Sequence, residues 1–154
     1  MSEPNHDLVL ELTLDASREK LYRCWTDPEL LKQWFVPKPW TIARAEIDVR
    51  AGGKSLVVMR NPEGQEFPNA SVYLEVAPNE KIVFTDAVSE GWKPAGRPFF
   101  VGEVTFQAVG GGKAKYRAVA RHWTEEAKQE HEKMGFHEGW KICALQLEAL
   151  AKTL

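Results

Sequence analysis

The chain opens with an alternation. Leu8, Leu10, Leu12 and Leu14 interleave with Val9, Glu11 and Thr13, the period of two that sets one face of a strand against a core. Asp15-Ala16-Ser17 then offers side-chain oxygens to cap a helix running to about Trp25, with Leu21, Cys24 and Trp25 on its inner side. A second helix follows at once. Asp27-Pro28-Glu29 supplies a cap, a proline where the missing N–H costs nothing, and an acid facing the positive end of the helix dipole. Leu30, Leu31, Trp34 and Phe35 make that helix apolar and short, and it ends before Pro37 and Pro39.

Six further strands are predicted at roughly 43–50, 54–60, 68–77, 80–87, 99–109 and 113–122. Turn formers separate them: Ala51-Gly52-Gly53, Asn61-Pro62-Glu63-Gly64, Pro78-Asn79 and Gly110-Gly111-Gly112. Connections this short join antiparallel neighbours, since a parallel crossover needs a dozen or more residues. The sheet should therefore be a meander. One longer gap, Val88 to Pro98, carries Gly91, Trp92, Pro94 and Gly96 and is expected to be a mobile loop with an exposed Trp, a candidate lid. After Gly135-Phe136-His137-Glu138-Gly139-Trp140 the apolar residues Trp140, Cys143, Ala144, Leu147, Leu150, Ala151 and Leu154 recur every three or four positions, the stripe of a long amphipathic helix. The expected fold class is α+β: a curved antiparallel sheet of about seven strands wrapped around a long C-terminal helix, with two short helices after strand 1.

Length changes the picture only by fitting one domain, 1–154, large enough to bury a core without metal or disulfide. Twenty Lys and Arg against 22 Asp and Glu give a formal charge of -2, so no basic field draws a nucleic acid, and none is expected as a partner. Cys24 and Cys143 both fall among apolar neighbours in predicted helices, which favours free thiols in a reducing, cytoplasmic setting. Met1 to Asp7 is polar, unlike a signal peptide, and no stretch approaches the roughly 18 apolar residues of a membrane span.

Four segments carry a resemblance. Ala16 to Leu30, with Trp25-Thr26-Asp27-Pro28-Glu29 joining its two helices, then Trp34 with Pro37, then Asp48-Val49-Arg50-Ala51-Gly52-Gly53, and finally His137-Glu138-Gly139-Trp140 resemble, in order, the START-like, helix-grip superfamily. The branch is the one related to the C-terminal domain of the ninety-kilodalton heat-shock-protein ATPase activator. The resemblance implies the helix-grip fold. It does not choose a function, because that superfamily holds lipid and polyketide carriers, cyclases, self-resistance proteins and co-chaperone modules on one scaffold. Some relatives dock on the chaperone; here the first strand begins by residue 8, and a chaperone partner is not the expectation.

On the predicted strand 113–122, Tyr116, Ala118, Ala120 and His122 share an inward face while Lys115, Arg117, Val119 and Arg121 share the outer one. Two inward alanines suggest unfilled space. Trp34, Phe35, Trp40, Met134 and Trp140, with Tyr73, Phe84 and Phe100 from neighbouring strands, would line it. Such a mostly aromatic lining with a few polar groups suits a small hydrophobic or aromatic ligand, lipid- or polyketide-like. No residue is assigned a catalytic role and no cofactor is expected. His131 and His137 are six apart, on different faces of a helix, and no paired ligand motif is present, so no metal site is expected either. His122 is read as an inward histidine hydrogen-bonded to backbone, Glu75 and Asp86 as inward or rim acids, and Asp48 with Arg50 as a salt-bridged pair fixing the Gly52-Gly53 turn. The first functional reading is a cytoplasmic binding protein. The alternatives are a cyclase- or hydrolase-type enzyme using the same cavity, and a chaperone-associated or homodimeric interaction module exposing Trp92 and Trp123.

Overall fold

The computed structural model describes residues 5–96 and 98–154; the first four residues of the polar N-terminal segment, and Arg97 within the Val88–Pro98 gap, lie outside the described residues. Strand β1 (Asp7–Leu14) leads into helix α1 (Arg18–Thr26) and the short α2 (Pro28–Leu31). The caps are those the sequence offers: the Ser17 hydroxyl accepts from the Lys20 N–H, and the Asp27 carboxylate accepts from the Glu29 N–H. Then come β2 (Thr41–Ile47), β3 (Lys54–Arg60), β4 (Glu66–Ala77), β5 (Lys81–Thr85), a small hairpin of β6 (Val88–Ser89) and β7 (Lys93–Pro94), β8 (Val101–Gly110) and β9 (Lys113–Arg121). Helices α3 (Glu125–Lys133) and α4 (Phe136–Ala151) complete the described chain.

Seven strands form one antiparallel sheet in the order β1-β9-β8-β5-β4-β3-β2, a meander from β2 to β9 onto which β1 is added at the β9 edge. Bulges interrupt the register between Ile42 and Arg44 and between Tyr73 and Glu75, and extra residues of this kind bend a sheet. The bend gives a concave face, covered by α1 against β8 and β9 and by α4 against β1 and α1. Leu21 and Cys24 of α1, Ala144, Leu147 and Ala151 of α4, and Leu8, Leu14, Ile82, Val104, Ala118 and Ala120 of the sheet share the buried core between them. The opposite face is charged. Glu11 takes Lys115 and Arg117, while Glu103 takes Lys81 and Arg121, pairs exposed enough to contribute solubility more than stability.

Three expectations need correction. The C-terminal helical region is two helices, and α3 went unseen because Glu125 to Lys133 has no apolar stripe, only His131 being buried. Gly135, at φ +94, separates them with a left-handed turn. Glu75 does not share the Tyr73 face that a period of two assigns it: the bulge turns it out, leaving it the solvated acid of its two readings, paired with Lys81 at 3.4 Å. The 88–98 gap is no structureless loop but holds the β6–β7 hairpin, with the exposed Trp92 ring close over Gly52. That glycine and the next are required by geometry. Gly52 has φ +84, a Cβ on Gly53 would collide with the Asp48 carbonyl, and the freed backbone pairs with Tyr73 (Gly52 N to Tyr73 O 2.7 Å, Tyr73 N to Gly53 O 3.0 Å). Arg50 Nε donates to Asp48 Oδ2 at 2.7 Å across the same turn.

Candidate functional site

Between the concave face of the sheet and the helices lies a cavity of about 350 Å³. Trp25 from α1, Trp34 and Phe35 from the segment after α2, Phe84 from β5, Tyr116 from β9, and Trp140 and Cys143 from α4 line it, together with Met59, Asn69, Phe100, His131 and Met134. A narrow annex of about 40 Å³ shares five of those walls, Trp25, Phe35, Asn69, Phe84 and Phe100. Its far side is different in kind: Ser55, Ser71, Tyr73 and Asp86 bring hydroxyls and a carboxylate.

The aromatic walls are held, not merely collapsed. Trp34 donates its indole N–H to the Cys24 carbonyl at 3.0 Å, and its ring meets Trp25 edge-on at a centroid distance of 5.0 Å. Gln146, one turn beyond Cys143 on α4, donates to the carbonyls of Trp34 (3.0 Å) and Val36 (2.8 Å) and accepts from Lys38 N (3.2 Å). One side chain thus fixes the segment that carries Trp34 and Phe35. Asp86 does the same for the opposite wall, its Oδ1 accepting from Phe99 N (2.9 Å) and Phe100 N (3.3 Å), and Thr85 adds a bond to the Phe100 carbonyl at 3.0 Å. On β8, Gly102 stands opposite Phe84; a Cβ there would lie 2.6 and 2.9 Å from two ring carbons, so only glycine leaves the ring its place.

Burial tunes the titratable groups on these walls. It pushes the Cys143 thiol up to about 12, Cys24 behind the wall up to about 11, and the Tyr73 phenol up to about 12 against the pull of a nearby Ser55 hydroxyl. Burial raises Tyr116 as well, with the Trp25 indole drawing it partly back. That indole nitrogen lies beside the Tyr116 hydroxyl without hydrogen-bond geometry and is the one sealed, unpartnered side-chain polar atom among the described residues. At the α3 end, His122 Nδ1 is 2.8 Å from the His6 carbonyl and His122 Nε2 is 2.9 Å from His131 Nδ1. Desolvation, and then the neighbouring His122, hold His131 down to about 4.

Matched against family models, residues 15–152 fit the one described as Activator of Hsp90 ATPase homolog 1-like protein. The chain belongs to this family. Among solved structures it is similar to protein NE0264 from Nitrosomonas europaea, 40% identical over 96% of this chain and 94% of that one, with a TM-score of 0.91. Protein Ms6760 from Mycobacterium smegmatis (23% identity, TM-score 0.76, 95% and 90% covered) and the AHSA1-like protein from Aeromonas hydrophila (15%, 0.72, 96% and 92%) share the fold. No protein with a curated description matches.

In this member of the activator-like family, the sequence-named residues divide by position. Trp34, Phe35, Phe84, Phe100, Tyr116 and Trp140 come together on the main chamber and Tyr73 on the annex, while Met134 reaches only the mouth and is 69% exposed. Four lie off the wall. Trp40 packs on Phe67 at 5.7 Å, and His122 stands behind His131. Ala118 and Ala120 are wholly buried in the packed core, where space had been expected. Sequence reasoning missed Trp25, Met59, Asn69, His131 and Cys143 on the wall and Gln146 behind it. The period-three spacing of Trp140, Cys143 and Gln146 was a usable signal; Asn69 and His131 sit in polar surroundings that gave none. Among the described residues no group of three or more His, Cys, Asp or Glu could hold a metal ion, and no helix is long and apolar enough to cross a membrane.

Proposed function

We propose that this protein is a cytoplasmic binding protein which takes a small, largely aromatic molecule into the cavity, apolar body in the main chamber and one polar end in the annex. The observation that carries this reading is the shared wall: five residues serve both an aromatic chamber and a chamber of hydroxyls. Its volume falls within the range of small-molecule pockets, and a few converging polar groups among aromatic rings fix a ligand's orientation. A two-ring aromatic that buries about 200 Å² of apolar surface gains about 5 kcal/mol, before association costs, from leaving water. Dissociation constants from about 0.2 mM into the millimolar range follow for unspecialised probes.

Native mass spectrometry of protein purified from its own host tests the reading directly. A retained small molecule supports it. A retained polypeptide in place of a small molecule would move the assignment to an interaction module, for which Trp123 and Met134 offer exposed apolar surface. Titration with an anilinonaphthalene dye gives a second test, because Trp25, Trp34 and Trp140 all border the cavity. Tryptophan quenching that saturates supports uptake; none at millimolar dye refutes it.

A further inference from the structure

Resting on the binding reading above, we infer that His131 is the recognition point inside the cavity: its Nε2 accepts a hydrogen bond from a hydroxyl group on a flat aromatic ligand. The direction of that bond follows from a chain of two rings. A backbone carbonyl can only accept, so His122 Nδ1, 2.8 Å from the His6 carbonyl, carries its hydrogen. A neutral His122 then presents a lone pair at Nε2, and His131 Nδ1, 2.9 Å away, must be the donor to it. Neutral His131 is left with a lone pair at Nε2. That atom has no hydrogen-bond partner among the described residues and, unlike Trp25 Nε1, is not sealed from solvent, on a ring that borders the cavity.

The polarity is therefore set two residues back, by a carbonyl of the main chain, and the site asks for a donor. A carboxylate or ketone in the same place would set lone pair against lone pair. Phe99, Phe100 and Phe136 surround the imidazole at centroid distances of 4.7, 5.2 and 5.2 Å, so the acceptor is held in an aromatic collar suited to a flat ring bearing the hydroxyl. Burial favours the neutral ring that the scheme needs.

The test compares 2-naphthol with 2-methoxynaphthalene, which keeps the rings, adds apolar area and replaces the donated hydrogen by a methyl group. Calorimetric titration of the full chain at pH 7.5 is expected to show 2-naphthol binding about five- to tenfold more tightly, the worth of one buried hydrogen bond. His131→Phe should bind both alike. Because that variant leaves His122 Nε2 without its donor and its folding is at risk, nitrogen NMR of histidine-labelled wild-type protein supplies a second readout. His131 Nε2 should resonate as an unprotonated nitrogen and shift on adding 2-naphthol but not its methyl ether. Equal or reversed wild-type affinities, a protonated Nε2, or a folded His131→Phe that keeps the preference overturns the inference and leaves the binding reading intact. Failure of both compounds to bind overturns the two together.

Discussion

Replacing Gly102 by alanine tests whether the cavity is real working space. The new Cβ would stand 2.6 and 2.9 Å from two carbons of the Phe84 ring, and the ζ carbon would be nearer still. Ordinary carbon contacts are about 3.5–4.0 Å, so the ring has to retreat by about 1 Å. Overpacking of this kind costs about 1–3 kcal/mol when neighbours cannot yield, while the loss of glycine's freedom in the unfolded chain returns about 0.4–1 kcal/mol. Here the neighbour can yield, because Phe84 borders both chambers. The expected result is a small net loss, about 1 kcal/mol or less by urea denaturation, with the cost appearing as lost volume. Affinity for an anilinonaphthalene dye should fall about tenfold. A destabilisation near 3 kcal/mol with unchanged dye affinity would mean the ring is wedged in solid packing. No change in either measurement would refute the geometry.

Gln146→Ala removes three hydrogen bonds to the 34–38 segment and should cost about 2–3 kcal/mol at roughly 1 kcal/mol each, read from urea midpoints, with weaker dye binding as Trp34 and Phe35 lose their anchor. Ala118→Phe, at a wholly buried position off the cavity wall, should cost about 3 kcal/mol or more, whereas Tyr116→Trp should stay folded and exclude the dye; equal stability of the two variants would overturn that placement. Acid should expose the histidine pair. The unfolded chain takes up a proton on His131 below its ordinary value near 6.5, and the folded chain refuses it down to about 4, so this contribution to stability is constant above pH 7 and is lost between pH 6.5 and 4. At full weight the difference is about 3 kcal/mol, and solvent at the cavity mouth should reduce it to about 1–2. Urea midpoints for wild type and His131→Phe from pH 7.5 to 4.5 should diverge accordingly; parallel curves would refute the assignment.

The order of elements was legible because each carries its own periodicity or punctuation: the leucine alternation of β1, the Asp27-Pro28 junction, the glycine turns of the meander, the stripe of α4. What was not legible depended on partners remote in sequence. The inward direction of Tyr73 could be read, but the bulge that turns Glu75 outward is a property of the β4–β5 pairing. Helix α3 shows the limit most clearly. Its nine residues bury only His131, so the apolar period that announces a helix was missing. The alanines of β9 misled for a related reason: a small side chain signals either a hollow or close packing against other elements, and only the packed core decides between them. Most aromatic wall residues were found because bulk marks them in any register, but bulk alone did not separate Trp25, on the wall, from Trp40, off it. Gln146 was overlooked because a glutamine facing two carbonyls looks, in a sequence, like any surface glutamine.

The pairing of β1 with β9 has a kinetic side. Residues Asp7 to Leu14 find their partners in Ala114 to Arg121, a hundred or more positions later along the chain. On a ribosome the first leucine strand therefore emerges long before the strand that will sheathe it, and it waits with Leu8, Leu10, Leu12 and Leu14 uncovered. Contacts so distant make for slow closure and leave a sticky edge in the interim. The seam between β1 and β9 therefore closes late, only once the chain has been made through Arg121.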